Sequence, residues 1–258
     1  MKRSFWSRSL LKAVVTLGLA LGASMVSPVA NADEKGDKAI AAVDGAVYKA
    51  KTQFLEYEAT IKVPEKEDKK LSLGVYMKDD KRFTEFLAPS DVKGTKVLIL
   101  SPTQMYVYLP AFKKVRRIAS HVTDQGFMGM NFAQDEMSIT GYAKMYTGEV
   151  TSEDDKTRKI TMTQKADTGA PYAKVEMTVE KARNLPTELK YYSESGTHVK
   201  TETRSNYTCE KEFCAPVTLT MVDHTKSGAS TTLTRKKWKV NLDIPDSRFS
   251  KRALEEGT

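Results

Sequence analysis

The chain is poor in the residues that carry covalent chemistry. Its 258 residues include two cysteines and three histidines. His121, His198 and His224 stand in separate stretches, and no two of them have the spacing of a metal-ligand pair. G-x-S-x-G, a phosphate loop and a Cys-His couple set in a motif are all missing. Acidic pairs such as Asp79-Asp80, Asp154-Asp155 and Glu255-Glu256 fall in charged turns or in the tail, where solvated surface is their simplest role. No reaction class leaves a mark, so the expectation is a protein that binds rather than converts, with no cofactor and no metal.

Long apolar runs are lacking too. The longest, Ala13–Val26, is about 14 residues, short of the roughly 20 that a membrane span needs. Lys2, Arg3, Arg8 and Lys12 flank or precede it, and Ala30-Asn31-Ala32 follows as a small-x-small site, so residues 1–32 read as a secretory signal cleaved before Asp33. Aspartate at that junction gives no thiol for a lipid anchor. Loss of the four basic residues lowers the net charge from +8 to +4. So small an excess, with no nucleic-acid motif, excludes a nucleic-acid partner. The remaining 33–258 are enough for one domain with a sizeable core, and neither a repeat nor a linker divides them.

Cys209 and Cys214 are separated by Glu210–Phe213. An oxidising compartment would bond them across a hairpin loop between a strand ending near Tyr207 and one starting at Val217. So short a ring contributes about 2 kcal/mol and acts as a loop staple. Metal binding would need more ligands, and the redox C-x-x-C spacing is absent.

What is present is mostly strand pattern. Lys35–Lys51 places Ile40, Val43, Val47 and Ala50 on one helical face, although Gly45 costs about 1 kcal/mol there. From Tyr57 the period becomes two. Tyr57–Val63, Leu71–Met77, Arg82–Leu87, Val97–Leu100 and Met105–Leu109 form an antiparallel meander. Met137–Val150 is ambiguous between helix and strand. Six further strands follow: Lys159–Gln164, Tyr172–Val179, Leu185–Tyr192, Val199–Tyr207, Val217–Val222 and Thr231–Leu242. Roughly eleven strands against one helix make the class mainly β, with a strongly curved antiparallel sheet or partial barrel and helical material against its concave face.

Leu109–Phe132 breaks this pattern. Pro110 has no N–H to donate and ends the β-run. Lys113, Lys114, Arg116 and Arg117 then form a cationic strip around Val115. It is either a strand edge kept from aggregating by its charge or a surface for anionic head groups or an acidic partner, to which arginine donates bidentately. Phe127, Met128, Met130 and Phe132 follow, spaced by Gly126 and Gly129. Such side chains need a core or a cargo to cover them, and glycine with methionine makes a loop that reshapes at low cost.

Three runs within Phe86–Phe132, FLAPSDVKGTKVLIL, YVYLPAFKKVRRIAS and GFMGMNF, resemble the LolA-like outer-membrane lipoprotein-sorting family of bacterial envelopes. LPA, VRRIAS and FMG stand in that family's order and spacing. LPTELKYYSESGTHVKTE (185–202) and IPDSRFSKRAL (244–254) carry a weaker likeness. Where relatives continue from FMG with serine-aspartate and a tyrosine-acidic run, this chain has Met130, Asn131, Ala133, Gln134, Asp135 and Glu136. The resemblance implies a half-open β-barrel, α+β by its helical and loop lid, whose concave side holds acyl chains. On that basis Leu73, Val75, Met77, Phe112, Phe127, Met128, Met130 and Phe132 are expected to form the wall or lid of a hydrophobic cavity. Lys113, Lys114, Arg116 and Arg117 are expected to meet head groups or a partner.

The expected function is then that of a periplasmic carrier or binding protein of a Gram-negative bacterium. Its cargo would be lipid, lipoprotein acyl chains or another hydrophobic molecule. It would act as a monomer with an inner-membrane transporter of the RND or MMPL type, touching the membrane surface transiently. No covalent step is needed, because each methylene withdrawn from water contributes about 0.8 kcal/mol and release becomes the harder problem. An alternative of another class is a regulatory or assembly protein that uses the same fold to bind an envelope protein.

Overall fold

In the computed structural model, residues 34–119 and 126–256 are described; the signal expected over 1–32 lies outside them, as does His121. The chain opens with helix α1 (Glu34–Val47) and runs through β1 (Thr52–Lys62), β2 (Lys69–Lys78), β3 (Lys81–Ala88), β4 (Lys96–Ser101), β5 (Gln104–Leu109) and β6 (Lys114–Arg117). After a long connection that includes the short helix α2 (Gln134–Met137) come β7 (Tyr146–Glu153), β8 (Thr157–Gln164), β9 (Lys174–Glu180), β10 (Leu185–Tyr192) and β11 (His198–Ser205). The small hairpin β12 (Thr208–Glu210) and β13 (Phe213–Ala215), then β14 (Thr218–Asp223), β15 (Ala229–Val240) and helix α3 (Lys251–Glu255), complete it.

Thirteen of these strands make one curved antiparallel sheet in the order β6-β5-β4-β3-β2-β1-β15-β14-β11-β10-β9-β8-β7. Each half is a run of near neighbours in sequence, joined by β1 against β15. The end strands β6 and β7 do not pair with each other, so the sheet is a half-open barrel. That order has a direct consequence: the chain leaving β6 must pass from one end of the sheet to the other before β7 can begin. Residues of this connection therefore lie over the concave face. Phe132, Ile139, Tyr142 and Met145 pack there with α1 on the β8–β10 half, while Ile118 and Met130 pack on the β1–β5 half.

Helix α1 buries Gly36, Ala39, Ile40 and Val43. A buried aliphatic side chain of this size contributes about 1.5–3 kcal/mol. The helix is also tied by carboxylates: Gly148 N donates to Asp37 Oδ1 at 2.8 Å, and the amides of Tyr142 and Ala143 donate to the two Asp44 oxygens, each at 2.8 Å. Its backbone lies so near β7 that a Cβ on Gly148 would fall 2.6 Å from Ile40 Cδ1 and 2.8 Å from the Gly36 backbone. The ambiguous stretch Met137–Val150 resolves into the end of α2, irregular backbone, and β7. Helical and strand periods overlap in it because Tyr142 and Tyr146 face the core while Asp44 holds the turn between them.

The convex face is also covered. Phe83 and Leu98 point away from the concave core and are buried by Ile244, Phe249 and Leu254 of the C-terminal segment. Strand β3 is thus buried on both faces, Phe83 to one side and Arg82, Thr84 and Phe86 to the other. Cys209 and Cys214 are cross-strand partners in the β12–β13 hairpin and form the expected disulfide.

Two outcomes follow from the helix. Gly45 is exposed and a Cβ there would meet nothing within 4 Å, so Gly45→Ala should raise stability by about 1 kcal/mol in denaturant titration. Glu153 receives Lys35 of α1 at 3.0 Å, Arg158 at 3.1 Å and Lys181 at 3.0 Å. Hydrogen bonds from Lys181, Lys35 and Arg158 hold its carboxyl at about 2, below the ordinary 4.5. A lowered carboxylate stabilises the fold above its unfolded value and ceases to do so as pH falls through the folded one. The stability difference between the wild type and Glu153→Gln should therefore be full above pH 4.5 and vanish as the pH falls towards 2.

A hydrophobic cavity under the crossover

Between the concave face and the crossover lies a cavity of about 220 Å³. Its floor is built from rows that cross β1, β2 and β3 in register. The first row is Gln53, Met77 and Arg82, continued by Ile99 on β4. Next come Leu55, Val75 and Thr84, and then Tyr57 beside Leu73. Leu219 of β14 and Leu233 of β15 extend it past the centre of the sheet. Phe132, Met137 and Ile139 form the roof, with Tyr48 following α1. Cys214, Ala215 and Pro216 also line the cavity, so the disulfide hairpin borders it.

The expected residues divide into three groups. Leu73, Val75, Met77 and Phe132 line the cavity. Met130 is buried in the β1–β5 core, and Phe127 and Met128 are half-buried against it, with the Phe127 ring 5.6 Å from that of Phe86. Phe112 does not reach the cavity. It ends a 3-10 turn, Pro110–Phe112, and is 58% exposed, with the Arg116 guanidinium 5.4 Å from its ring. Lys113 has a left-handed φ of 47°, which turns the chain into β6. Lys114, Arg116 and Arg117 lie exposed on that end strand. Gly126 serves a close approach: a Cβ on it would fall 1.8 Å from the Met130 carbonyl oxygen. Left-handed Met128 (φ 56°) and Gly129 (φ 84°) close the same turn.

The cavity also has a polar side that the expected wall residues, all apolar, did not include. Arg82, Glu136, Glu202 and Arg204 all reach the cavity wall. Glu202 and Arg204 stand two apart on β11 and pair at 2.7 Å; Arg204 also donates to the Tyr142 hydroxyl at 3.0 Å, and the Tyr191 hydroxyl donates to Glu202 at 2.6 Å. Burial pushes the Tyr57 phenol up to about 12. Alternation of Lys200, Glu202 and Arg204 with Thr201 and Thr203 was the available signal. With both sets polar, the period could not say which faced inward. His198 and His224, separate in sequence, lie with ring centroids 4.5 Å apart and their planes tilted by 53°. Among the described residues no group of three or more His, Cys, Asp or Glu could hold a metal ion.

The roof is pinned by a buried ion pair. Lys200 Nζ donates to Glu136 Oε1 at 2.6 Å and to the Asn131 carbonyl at 3.0 Å. Glu136 also accepts from Ala133 N at 2.7 Å and from the Tyr172 hydroxyl. Asn131 N donates to the Thr231 hydroxyl at 2.8 Å. Two strands, β11 and β15, with Tyr172 from the loop before β9, thus hold one turn of the crossover.

A family described as "Uncharacterized protein" matches residues 78–256. The chain belongs to that family. No curated protein matches it. Among solved structures it is similar to an outer membrane lipoprotein-sorting protein domain from Vibrio parahaemolyticus, at 24% identity and a TM-score of 0.77, over 88% of this chain and 100% of that one. A DUF1329 family protein from Desulfovibrio piger gives 21% identity and 0.80, over 85% and 98%. A LolA superfamily protein from Nitrosomonas europaea gives 18% and 0.72, over 84% and 98%. The fold is LolA-like. Among the described residues no helix is long and apolar enough to cross a membrane.

Lys200→Met should cost about 3–5 kcal/mol, because it leaves Glu136 charged, buried and unpaired. Equilibrium unfolding measures this, and pairing it with Glu136→Met should recover much of the loss.

Proposed function

We propose that the chain is a periplasmic carrier or binding protein for a hydrophobic molecule, lipid or lipoprotein acyl chains among them, and that residues 33–258 act as its one binding domain after the signal is removed. The observation that carries this reading is the cavity. Aliphatic side chains from β1, β2, β14 and β15 line space that the fold leaves unfilled beneath a roof of separate origin. Native interiors are close-packed. A dry cavity of roughly 150 Å³ already admits benzene, so this one is large enough to receive part of an apolar ligand. The similarity in fold to a lipoprotein-sorting domain supports the same reading. Delivery to or from an inner-membrane transporter would follow from the compartment, and the exposed cations of β6, with Phe112, would serve transient contact with an anionic membrane surface.

The test is uptake of a fluorescent fatty acid by protein stripped of co-purified lipid. Wild type should show saturable binding. Val75→Phe, which fills the cavity from its half-buried floor, should weaken uptake about tenfold or more while the melting temperature stays within a few degrees. No saturable uptake by wild type would count against a carrier.

A further inference from the structure

The two arginines of the cavity wall differ in one respect. Arg204 has Glu202 at 2.7 Å. Arg82 is 9% exposed and makes no ion pair among the described residues. Its Nη2 donates to the Ile139 carbonyl at 2.8 Å, but its Nη1 is buried with no hydrogen-bond partner. A buried charge without a counterion is costly, and native proteins ordinarily pair it.

Met77 and Ile99 flank Arg82 in its row, and two buried polar side chains stand near it. Arg82 shares its row with Gln53, which is 8% exposed, and Thr84, 9% exposed, stands two residues along the same strand face. Beyond them, in the direction of Leu73, the floor is Leu55 and Val75. With a rise of about 3.4 Å per residue, the row of Leu73 lies about 14 Å from that of Arg82. The floor therefore has a cationic end and an aliphatic end on one line.

We infer that the cavity takes an anionic single-chain amphiphile, its carboxylate or phosphate paired with Arg82 and its chain laid along β1–β3 towards Leu73. This rests on the carrier reading and names the chemistry of its ligand. The guanidinium fork matches either head group through two parallel N–H donors. Burial draws the Arg82 guanidinium down from its ordinary value, with the Tyr48 phenol and Asp80 acting the other way. An anion arriving at Nη1 would relieve the same desolvation. One chain suits the size of the cavity, whereas a lipid with several chains would have to displace the roof.

The experiment compares matched ligands by calorimetry on delipidated protein. Dodecanoate should bind at least about tenfold tighter than dodecanol, as a charge-assisted hydrogen bond implies. Dodecyl phosphate should share the advantage, and whichever of the two anions binds tighter identifies the head group. Acetate and inorganic phosphate should not compete at similar concentrations, because the chain is needed. Arg82→Gln keeps a donor for the Ile139 carbonyl and removes the charge; it should bring dodecanoate to within about twofold of dodecanol when both are measured on the same variant. Equal binding of dodecanoate and dodecanol by wild type would overturn this inference and leave the carrier reading standing. That comparison needs no variant, so an unstable Arg82→Gln would not rescue the idea. Binding of neither ligand would overturn both.

Discussion

The arrangement depends on one buried contact, the ion pair between Lys200 and Glu136 with its hydrogen bonds to Asn131 and Ala133. Lys200 belongs to the sheet and Glu136 to the crossover, and each side chain is at most 10% exposed. Apolar contact alone would let the crossover slide over the concave face, since hydrophobic burial has no preferred direction. A charged pair in a dry setting does have one. It fixes where the α2 turn sits, and with it where Phe132 and Ile139 roof the cavity. Asp44 does the corresponding work for α1, and burial raises its carboxyl even though two backbone amides donate to it. Both contacts put a charge where water is scarce in order to hold a cover at a defined place.

That cover is a consequence of topology. A closed barrel would have joined β6 to β7 by hydrogen bonds and filled its interior from the strands alone. With the two ends apart, the connection between them runs over the concave face and supplies the missing layer. The same opening leaves β6 as an end strand, where a row of unpaired backbone groups could recruit another chain. Lys114, Arg116 and Arg117 oppose such pairing, so the protective role of the cationic strip and its proposed role at a membrane surface are compatible uses of one feature.

The strands were legible in the sequence where one face is apolar and the other polar. Leu71, Leu73 and Val75 against Ser72 and Gly74 is such a case, and β10 runs over Leu185–Tyr192 as its pattern indicates. Strand β6 was legible only as one of two readings of the cationic strip, because three of its four residues are cations and no alternation shows. The helix ends at Val47, before the Lys51 that its pattern allowed. For the cavity, the aliphatic floor could be read from period two, and the roof could be placed near Phe132. The polar end could not. Arg82 follows a charged turn and reads as surface, and only the pairing of β2, β3 and β4 shows that it lies between Met77 and Ile99. Phe112 failed for the opposite reason: an aromatic side chain beside an apolar loop reads as core, yet the turn at Pro110 points it outward.

The pairing of β1 with β15 sets the first strand of the sheet against the last, at its centre. Every other neighbour in the sheet is joined by a hairpin or a short excursion, so each half can be assembled from local contacts. The central seam must close a loop of most of the chain. Leu55 and Tyr57 lie on one side of that seam and Leu219 and Leu233 on the other. Neither half-sheet therefore supplies the whole lining of the cavity. The cavity is complete only once that long-range pairing has formed, and a molecule lodged in it would hold the two halves of the sheet together.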